Sequence, residues 1–513
     1  MKIRSSIAVL ALLFVGGAEP TAYAAKKTAA PAAPSTRTEH DLIGDKQIPN
    51  DKYWGVQTAR ALENFQFSDV KMNTYPEFVK GFAIVKLAAA RANTATGAMK
   101  PERLAGIEKA AKAVMDGKYM DQFLVDWYQG GAGTSANMNA NEVLANIGLE
   151  MMGHKKGEYK YLDSHDDLNM SQSTNDSYPT AIKVAFILRN ERVVNEAKQL
   201  VASFRTIGNK YLRVTKMGRT ELQDAVPMTV GQEFHAFASS LEAEIAVLQE
   251  AERHLYTVNM GATAIGSELN VPKGYPKACA DELAKLLNKP IVPATDMFAA
   301  TWDQQGFVAY SNALESLAIK LSKISGDLIL LDSGPRAGLG EIDLPAVQPG
   351  SSIMPGKVNP VIPEVMNVIA FRVMGNAQSV AIAAHSGQLQ LNAYEPLEGL
   401  AIMESQELLS RGMATMRTKC VDGIGINEKI LADHIENTVG IVTALNPVLG
   451  YEKATELAQK ALKEDKGLLE VVREEHALTE EQIKELLDPA KLTNLDPSKY
   501  PQATKPAPAT TKP

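Results

Sequence analysis

A mainly α protein organised around a bundle of five long helices is the fold class this sequence predicts, and three observations carry it. Phe307, Tyr310, Leu314, Leu317, Leu321, Ile324, Leu328 and Leu331 step by alternating threes and fours, a heptad-like apolar seam along about seven helical turns. Phe234, Phe237, Leu241, Ile245, Leu248, Ala251 and Leu255 make a second seam with no proline inside it. Residues 180–212, 361–384 and 397–421 offer three more long, largely proline-free stretches. Five such helices in the middle of one chain favour a bundle over a sheet protein. Val247, Ile319 and Ile329 lie off the main seams. A helix that is apolar on more than one face needs a second partner, so an oligomer is expected.

Taken from the N-terminus, residues 1–24 have the layout of a secretory signal peptide. Lys2 and Arg4 precede a short apolar run from Ile7 to Val15, and Ala22-Tyr23-Ala24 supplies small residues for cleavage. The run is too short for a permanent membrane helix, which needs about 20 residues, and no later stretch reads as a span. Residues 25–38, rich in Ala, Pro, Ser and Thr, read as a flexible leader. An N-terminal, mainly helical domain is expected over 39–173, with Phe78, Phe82, Val85, Ala89 and Ala92 marking one amphipathic helix. The bundle follows over 174–427. "SGPRAG" at 333–338 ends its third helix with Gly334 and Pro335. A small helical C-terminal domain covers 428–498, and 499–513 read as a flexible tail.

The chain has 513 residues, enough for about three domains. A net charge of -7 excludes the clustered basic excess of a nucleic-acid binder and requires any anion site to be local. Cys279 and Cys420 are too few for a disulfide framework and read as buried thiols. The eight histidines show no zinc-ligand spacing, and "DSHDD" at 163–167 reads as a solvated loop.

Chemistry concentrates in "QPGSSIMPGKVNP", residues 348–360. It is not a phosphate loop: five residues separate Gly350 from Gly356, and Val358 stands where a magnesium-holding hydroxyl belongs. No histidine or aspartate adjoins Ser351 and Ser352 to complete a nucleophilic triad. A serine can instead be made more acidic by backbone N–H groups of a Gly-rich turn and by an ammonium such as Lys357. Such a group could take a proton from carbon beside a carboxylate. A solvent-exposed turn accounts for the same residues about equally well at this level.

Other polar clusters shift the balance. "GGAGTSANMNANE" (130–142) carries Thr134, Ser135, Asn137 and Asn139 behind a glycine turn. "SQSTND" (171–176) places Ser173, Thr174 and Asn175 before the first bundle helix, and "KMGRTELQDAVP" (216–227) adds Thr220 between two long helices. Hydroxyls, amides and free N–H groups at helix N-termini suit carboxylates, though each cluster alone is also an ordinary cap. Together with the Ser/Lys/Asn loop they point to a dicarboxylate site.

"GSSIMPGKVNP" resembles the signature of the aspartase/fumarase superfamily. The resemblance continues through "YWGVQTARALENF", "YQGGAGTSANMNANEVLANIGLEMMGHKKGEY", "SQSTNDSYPT", "GRTELQDAVPMTVGQEF", "GATAIGSELN" and "GQLQLN", from about Glu39 to about Pro489. "NPVIPEVMN" and "GQLQLNAYEP" are similar to the aspartate ammonia-lyase branch rather than to the fumarases. The resemblance implies a three-domain helical fold and a homotetramer with active sites shared between three subunits. It implies Ser351 as the base that removes the Cβ proton of L-aspartate. An aci-carboxylate forms, and ammonia leaves to give fumarate. Thr134, Ser173, Thr174 and Ser352 match positions that hold the β-carboxylate. Lys357 and Asn359 match those that bind the α-carboxylate, and Asn175 and Thr220 lie near the amino group. No organic cofactor is implied, while some relatives are activated by a divalent cation.

Two features depart from the pattern. Glu221 stands where the family usually carries histidine or glutamine. A carboxylate near a dianionic substrate repels it by about 4 kcal/mol at 4 Å and an effective dielectric near 20, unless it pairs with the substrate ammonium, as we expect. The signal peptide is the second departure and implies export, with a periplasmic, scavenging role. Fumarase activity, or an inactive binding protein on the same scaffold, remain the alternatives.

Overall fold

A computed structural model of the chain describes residues 35–500. The expected signal peptide, residues 25–34 of the leader and residues 501–513 of the tail lie outside the described residues. The chain enters as an antiparallel hairpin of β1 (Thr36–Asp41) and β2 (Gly44–Pro49). Strand therefore starts inside the stretch that composition assigned to the leader. The reason is local: buried Glu39 accepts from Arg37 Nε at 2.7 Å and from the Val56 N–H at 3.0 Å, which ties the strand to the next helix.

Four helices follow, α1 (Val56–Asn64), α2 (Pro76–Ala95), α3 (Pro101–Met115) and α4 (Thr134–Met151). The five bundle helices are α5 (Thr174–Lys210), α6 (Val230–Glu252), α9 (Gln305–Leu331), α10 (Val361–His385) and α11 (Glu395–Lys419). Two shorter helices, α7 (Tyr275–Leu287) and α8 (Met297–Trp302), lie in the crossover between α6 and α9. The bundle closes as a ring, each helix packing on the next in the order α5, α6, α9, α10, α11 and back to α5. Both predicted seams are buried along their whole length. Their partners off the seam are not: Val247 and Ile319 are exposed. α2 packs on α5, so the N-terminal helices and the bundle share one core.

Between α5 and α6 the chain forms a hairpin of β3 (Thr215–Thr220) and β4 (Gln223–Thr229), which the sequence reading left as a connection between helices. From α12 (Glu428–Asn437) onward a second, smaller core gathers Ile435, Leu445, Leu457, Leu468 and Ile483, joined by Met217 of β3.

One correction concerns membranes. Among the described residues α10 is long and apolar enough to cross one by length and composition, although the sequence reading found no such stretch. Its setting is that of a bundle helix: it packs between α9 and α11, and it carries Glu364 and Arg372 on its exposed side. Val368, Phe371 and Ile382 on that side are each at least 60% exposed.

Candidate active site

Thr134 opens α4 after three consecutive left-handed residues, Gly131, Ala132 and Gly133. At Gly133 a Cβ would lie 2.3 Å from the Tyr178 ring, so only glycine lets this turn press against α5. The turn thereby seats the start of α4 beside the start of α5. There Ser173 caps the helix, its Oγ accepting from the Asn175 N–H at 3.2 Å while Asp176 accepts from the Ser173 N–H at 3.0 Å. Thr174 Oγ1 accepts from Asn137 Nδ2 at 3.2 Å. Two helix N-termini and three hydroxyls thus stand together, a cradle suited to a carboxylate.

Pro179 explains how Asn175 is held. Proline has no N–H, so the Asn175 carbonyl, its partner one turn back, is left free. Buried Asn259 donates to that carbonyl at 3.0 Å, and Asn175 Nδ2 donates to the Ala264 carbonyl at 2.7 Å. Asp176 receives the N–H groups of Gly261 and Thr263 at 3.2 and 3.0 Å. Segment 259–264, which runs into "GATAIGSELN", is therefore laced to the cluster. Burial, only partly offset by those N–H groups, pushes the Asp176 carboxyl up to about 7.

Thr220 and Glu221 sit at the exposed tip of the β3–β4 hairpin. Its two turn residues, Glu221 (φ 53) and Leu222 (φ 64), are both left-handed. The hairpin is anchored by Glu341, which is fully buried and ion-paired to Lys216 at 2.9 Å and Arg219 at 2.6 Å. Burial pushes Glu341 upward, but the two cations outweigh it and hold the carboxyl below its usual range.

Ser351 lies in the loop between α9 and α10. Its Oγ accepts two backbone N–H groups, from Ile353 at 3.2 Å and Met354 at 2.9 Å. The loop is clasped shut by Gly350 N–H to the Lys357 carbonyl at 2.7 Å and by Asn359 Nδ2 to the Gly350 carbonyl at 2.8 Å. A Cβ on Gly350 would meet Asn359 N at 2.6 Å, which explains glycine there. Ser352, Ile353, Met354 and Lys357 are exposed, and Lys357 makes no ion pair among the described residues.

These groups divide between the two ends of the bundle. Helix α5 has 37 residues and so spans about 54 Å. Thr134, Ser173, Thr174 and Asn175 are at its start, while the hairpin follows its end. Because α6 runs back and α9 forward again, the Ser351 loop shares the hairpin's end. One chain therefore brings four of the expected residues together and leaves Thr220, Glu221, Ser351, Ser352, Lys357 and Asn359 a bundle length away. A cavity of about 660 Å³ lies elsewhere, lined by Val226, Pro227, Leu478 and Leu492 among others, and none of the predicted site residues lines it.

Sequence reasoning missed the polar layer beneath the first cluster: Lys86, Asn169, Gln172 and Asp176. The signal was present. Lys86 interrupts "FAIVKLAAA", where every neighbour is apolar, and it is 1% exposed in the structure. Its Nζ donates to Asn169 Oδ1 at 3.1 Å and Gln172 Oε1 at 2.9 Å.

The chain resembles known proteins over most of its length. The family described as Lyase matches residues 44–375, and the one described as Fumarase C C-terminus matches 441–494. The aspartate ammonia-lyase of Pseudomonas aeruginosa is 49% identical over 459 residues, 89% of this chain and 97% of that protein. The aspartate ammonia-lyase of Escherichia coli is 48% identical over 451 residues, 88% and 94% of the two chains. Among solved structures, the cobalt-bound fumarate lyase:delta crystallin from Brucella melitensis superposes with a TM-score of 0.86 at 47% identity, covering 89% of this chain and 99% of that one. The class II fumarase from Schistosoma mansoni gives a TM-score of 0.83 at 31% identity, with 89% and 99% covered.

Proposed function

The chain belongs to the lyase family that joins aspartases and class II fumarases, and from that premise we propose that it is an aspartate ammonia-lyase, converting L-aspartate reversibly to fumarate and ammonia. The observation that carries the chemistry is the Ser351 hydroxyl accepting two backbone N–H groups. A hydroxyl oxygen held this way is set to bear negative charge, because donors already in place stabilise the alkoxide at no reorganisation cost. Aspartate rather than malate as substrate is supported by relatives of that name at 48–49% identity over nearly the whole chain.

In the reaction the Ser351 alkoxide takes the proton from Cβ, and the electron pair moves into the β-carboxylate. Thr134, Ser173, Thr174 and Ser352 offer hydroxyls and N–H groups to the added charge. Lys357 and Asn359 bind the α-carboxylate, while Thr220, Glu221 and Asn175 face the ammonium. The pair then returns to form the Cα–Cβ double bond, the C–N bond breaks on the opposite face, and ammonia leaves. Among the described residues no three His, Cys, Asp or Glu side chains converge to cage a metal. We propose a divalent ion, like the cobalt named for the Brucella protein, only as an activator outside the chemistry. No organic cofactor is invoked.

The bundle-length separation supports a site assembled from several copies, in a homotetramer whose interface uses the apolar outer face of α10. Residues 1–24 support export and a periplasmic scavenging role, which cell fractionation tests: activity confined to the cytoplasm removes it.

The deciding assay uses purified protein lacking residues 1–24, given L-aspartate or L-malate, with fumarate followed by ultraviolet absorbance and ammonia by a coupled reaction. Fumarate and ammonia from aspartate alone support the proposal. Fumarate from malate alone makes the chain a fumarase, and turnover of neither in an assembled oligomer makes it a non-catalytic relative.

A further inference from the structure

We propose that Asn137 is a positioning residue that holds the Thr174 hydroxyl as a hydrogen-bond donor toward the substrate carboxylate, its own orientation being fixed from below by Lys86 through Asn169. The inference rests on the reading of Thr174 as a carboxylate ligand.

A threonine hydroxyl has one proton and can present either that proton or a lone pair to its neighbour. In front of a carboxylate only the first is attractive, and the aci-carboxylate raises the stake because more charge collects there. Something must therefore set the hydroxyl's sense before the substrate arrives.

The buried layer does so by a sequence of forced choices. The Lys86 nitrogen, charged or neutral, carries enough protons to donate to both of its acceptors, Asn169 Oδ1 at 3.1 Å and Gln172 Oε1 at 2.9 Å. Asn169 must then turn its carbonyl oxygen inward. Its own amide nitrogen donates outward, to the Gln172 carbonyl at 3.3 Å. The same Asn169 oxygen faces Asn137 Nδ2 at 3.1 Å and Asn141 Nδ2 at 3.2 Å, so both of these side chains present their NH₂ groups to it. Asn137 has a second amide proton, and Thr174 Oγ1 lies 3.2 Å from the same nitrogen. The Asn137 oxygen points the other way, 3.0 Å from Ser177 Oγ. Thr174 thus accepts on its protein side, and its proton is left for the partly exposed side where the helix N-termini converge. Asn137 is 1% exposed and Asn141 fully buried, so no water can restore a wrong orientation at low cost. Reversing the Asn137 amide would set its oxygen against the Asn169 oxygen and make Thr174 donate inward.

The test is a double-mutant cycle on the full assembled enzyme, with KM for L-aspartate and inhibition by succinate as readouts. A hydrogen bond to a charged group is worth roughly 1.5–3 kcal/mol, so Thr174→Val should raise both constants about tenfold or more. Asn137→Ala should raise them nearly as far, and the double variant no further than Thr174→Val alone. Effects that multiply in the double variant overturn the proposal, since Asn137 then acts on something other than Thr174. If Thr174→Val changes neither constant, the carboxylate reading of Thr174 fails first and the proposal falls with it, an outcome separable from the multiplying one. Should Asn137→Ala fail to assemble, Lys86→Gln takes its place. It frees the Asn169 amide to turn over and should weaken succinate binding in the parent but not in the Thr174→Val background, and an equal loss in both backgrounds overturns the proposal.

Discussion

A serine hydroxyl is a weak acid, so Ser351 can take a proton from carbon only where its conjugate base is stabilised, and the N–H groups of Ile353 and Met354 supply two donors for that purpose. Removing the oxygen removes the base while leaving the loop's clasp, made by Gly350, Lys357 and Asn359, untouched. Ser351→Ala should therefore lower kcat roughly 10²–10⁴-fold, the usual worth of a positioned base, with succinate still inhibiting at parental concentrations. Steady-state kinetics and inhibitor titration check both halves, and a kcat near that of the parent removes Ser351 from the base's role. Glu221 is the other residue with a definite expectation. Paired with the substrate ammonium it favours an amine over malate, so Glu221→Gln should raise KM for L-aspartate several-fold, an interaction of about 1 kcal/mol for a water-exposed pair. Unchanged KM and turnover would make it a silent variant. At this scale four residues that the fold brings together, Thr134, Ser173, Thr174 and Asn175, were legible, because hydroxyls and amides recur before two helix starts. Lys86 and Asn169 were not, since a lone lysine and a loop asparagine become partners only once α2, α4 and α5 are packed.

The elements show the same division. Helices α6 and α9 were legible because burial on one face imposes a periodic seam that no other structure needs. The β3–β4 hairpin was not, because its two-residue turn is Glu221-Leu222, whereas turns with both central residues left-handed favour Asn-Gly. A non-glycine left-handed residue costs on the order of 1 kcal/mol, and strain of this kind gathers at functional positions. Its place under Glu221 accords with a hairpin shaped to present that carboxylate. Strain of an electrostatic sort is stored at the start of α11. Burial pushes Glu395 up to about 8 and, with the Glu395 charge beside it, Glu398 up to about 9, while Lys183 and the Gln304 amide only partly offset this for Glu395. Both folded-state values lie above those of the unfolded chain. The stability these groups allow is thus complete at acid pH and is lost as pH rises from the ordinary carboxylate range through 8 and 9. Glu398→Gln should melt above the parent by roughly 2 °C or more at pH 9, with the gap closing toward pH 5. Calorimetry across that range tests it, and a gap independent of pH would mean that Glu398 ionises alike in the folded and the unfolded chain.

For the whole molecule, a five-helix bundle was readable from two periodic seams and three long, largely proline-free stretches, but its closure into a ring was not. The membrane-like composition of α10 was not picked out, because its outward Val368, Phe371 and Ile382 share a helix with buried Met366, Val373 and Val380 and the two faces merge in a linear reading. That outer face and the 37 residues of α5 bear on one question: how residues about 54 Å apart act on one small substrate. A dicarboxylate of four carbons cannot bridge them within a chain, so the proposed mechanism requires the Ser351 loop of one copy to meet the Thr174 cluster of another. It follows that two inactive variants should repair each other. Ser351→Ala subunits retain a sound Thr174 cluster, and subunits in which both Thr174→Val and Ser173→Ala remove hydroxyls retain a sound loop. Mixed, unfolded and reassembled in equal amounts, they place a sound loop against a sound cluster in roughly a quarter of the sites, as random closed assembly requires. Activity should return to about that fraction of the parent, with each variant refolded alone as the control. Recovery no greater than the sum of the separately refolded variants would mean that each chain completes its own site, and the assembled-site reading would have to be given up.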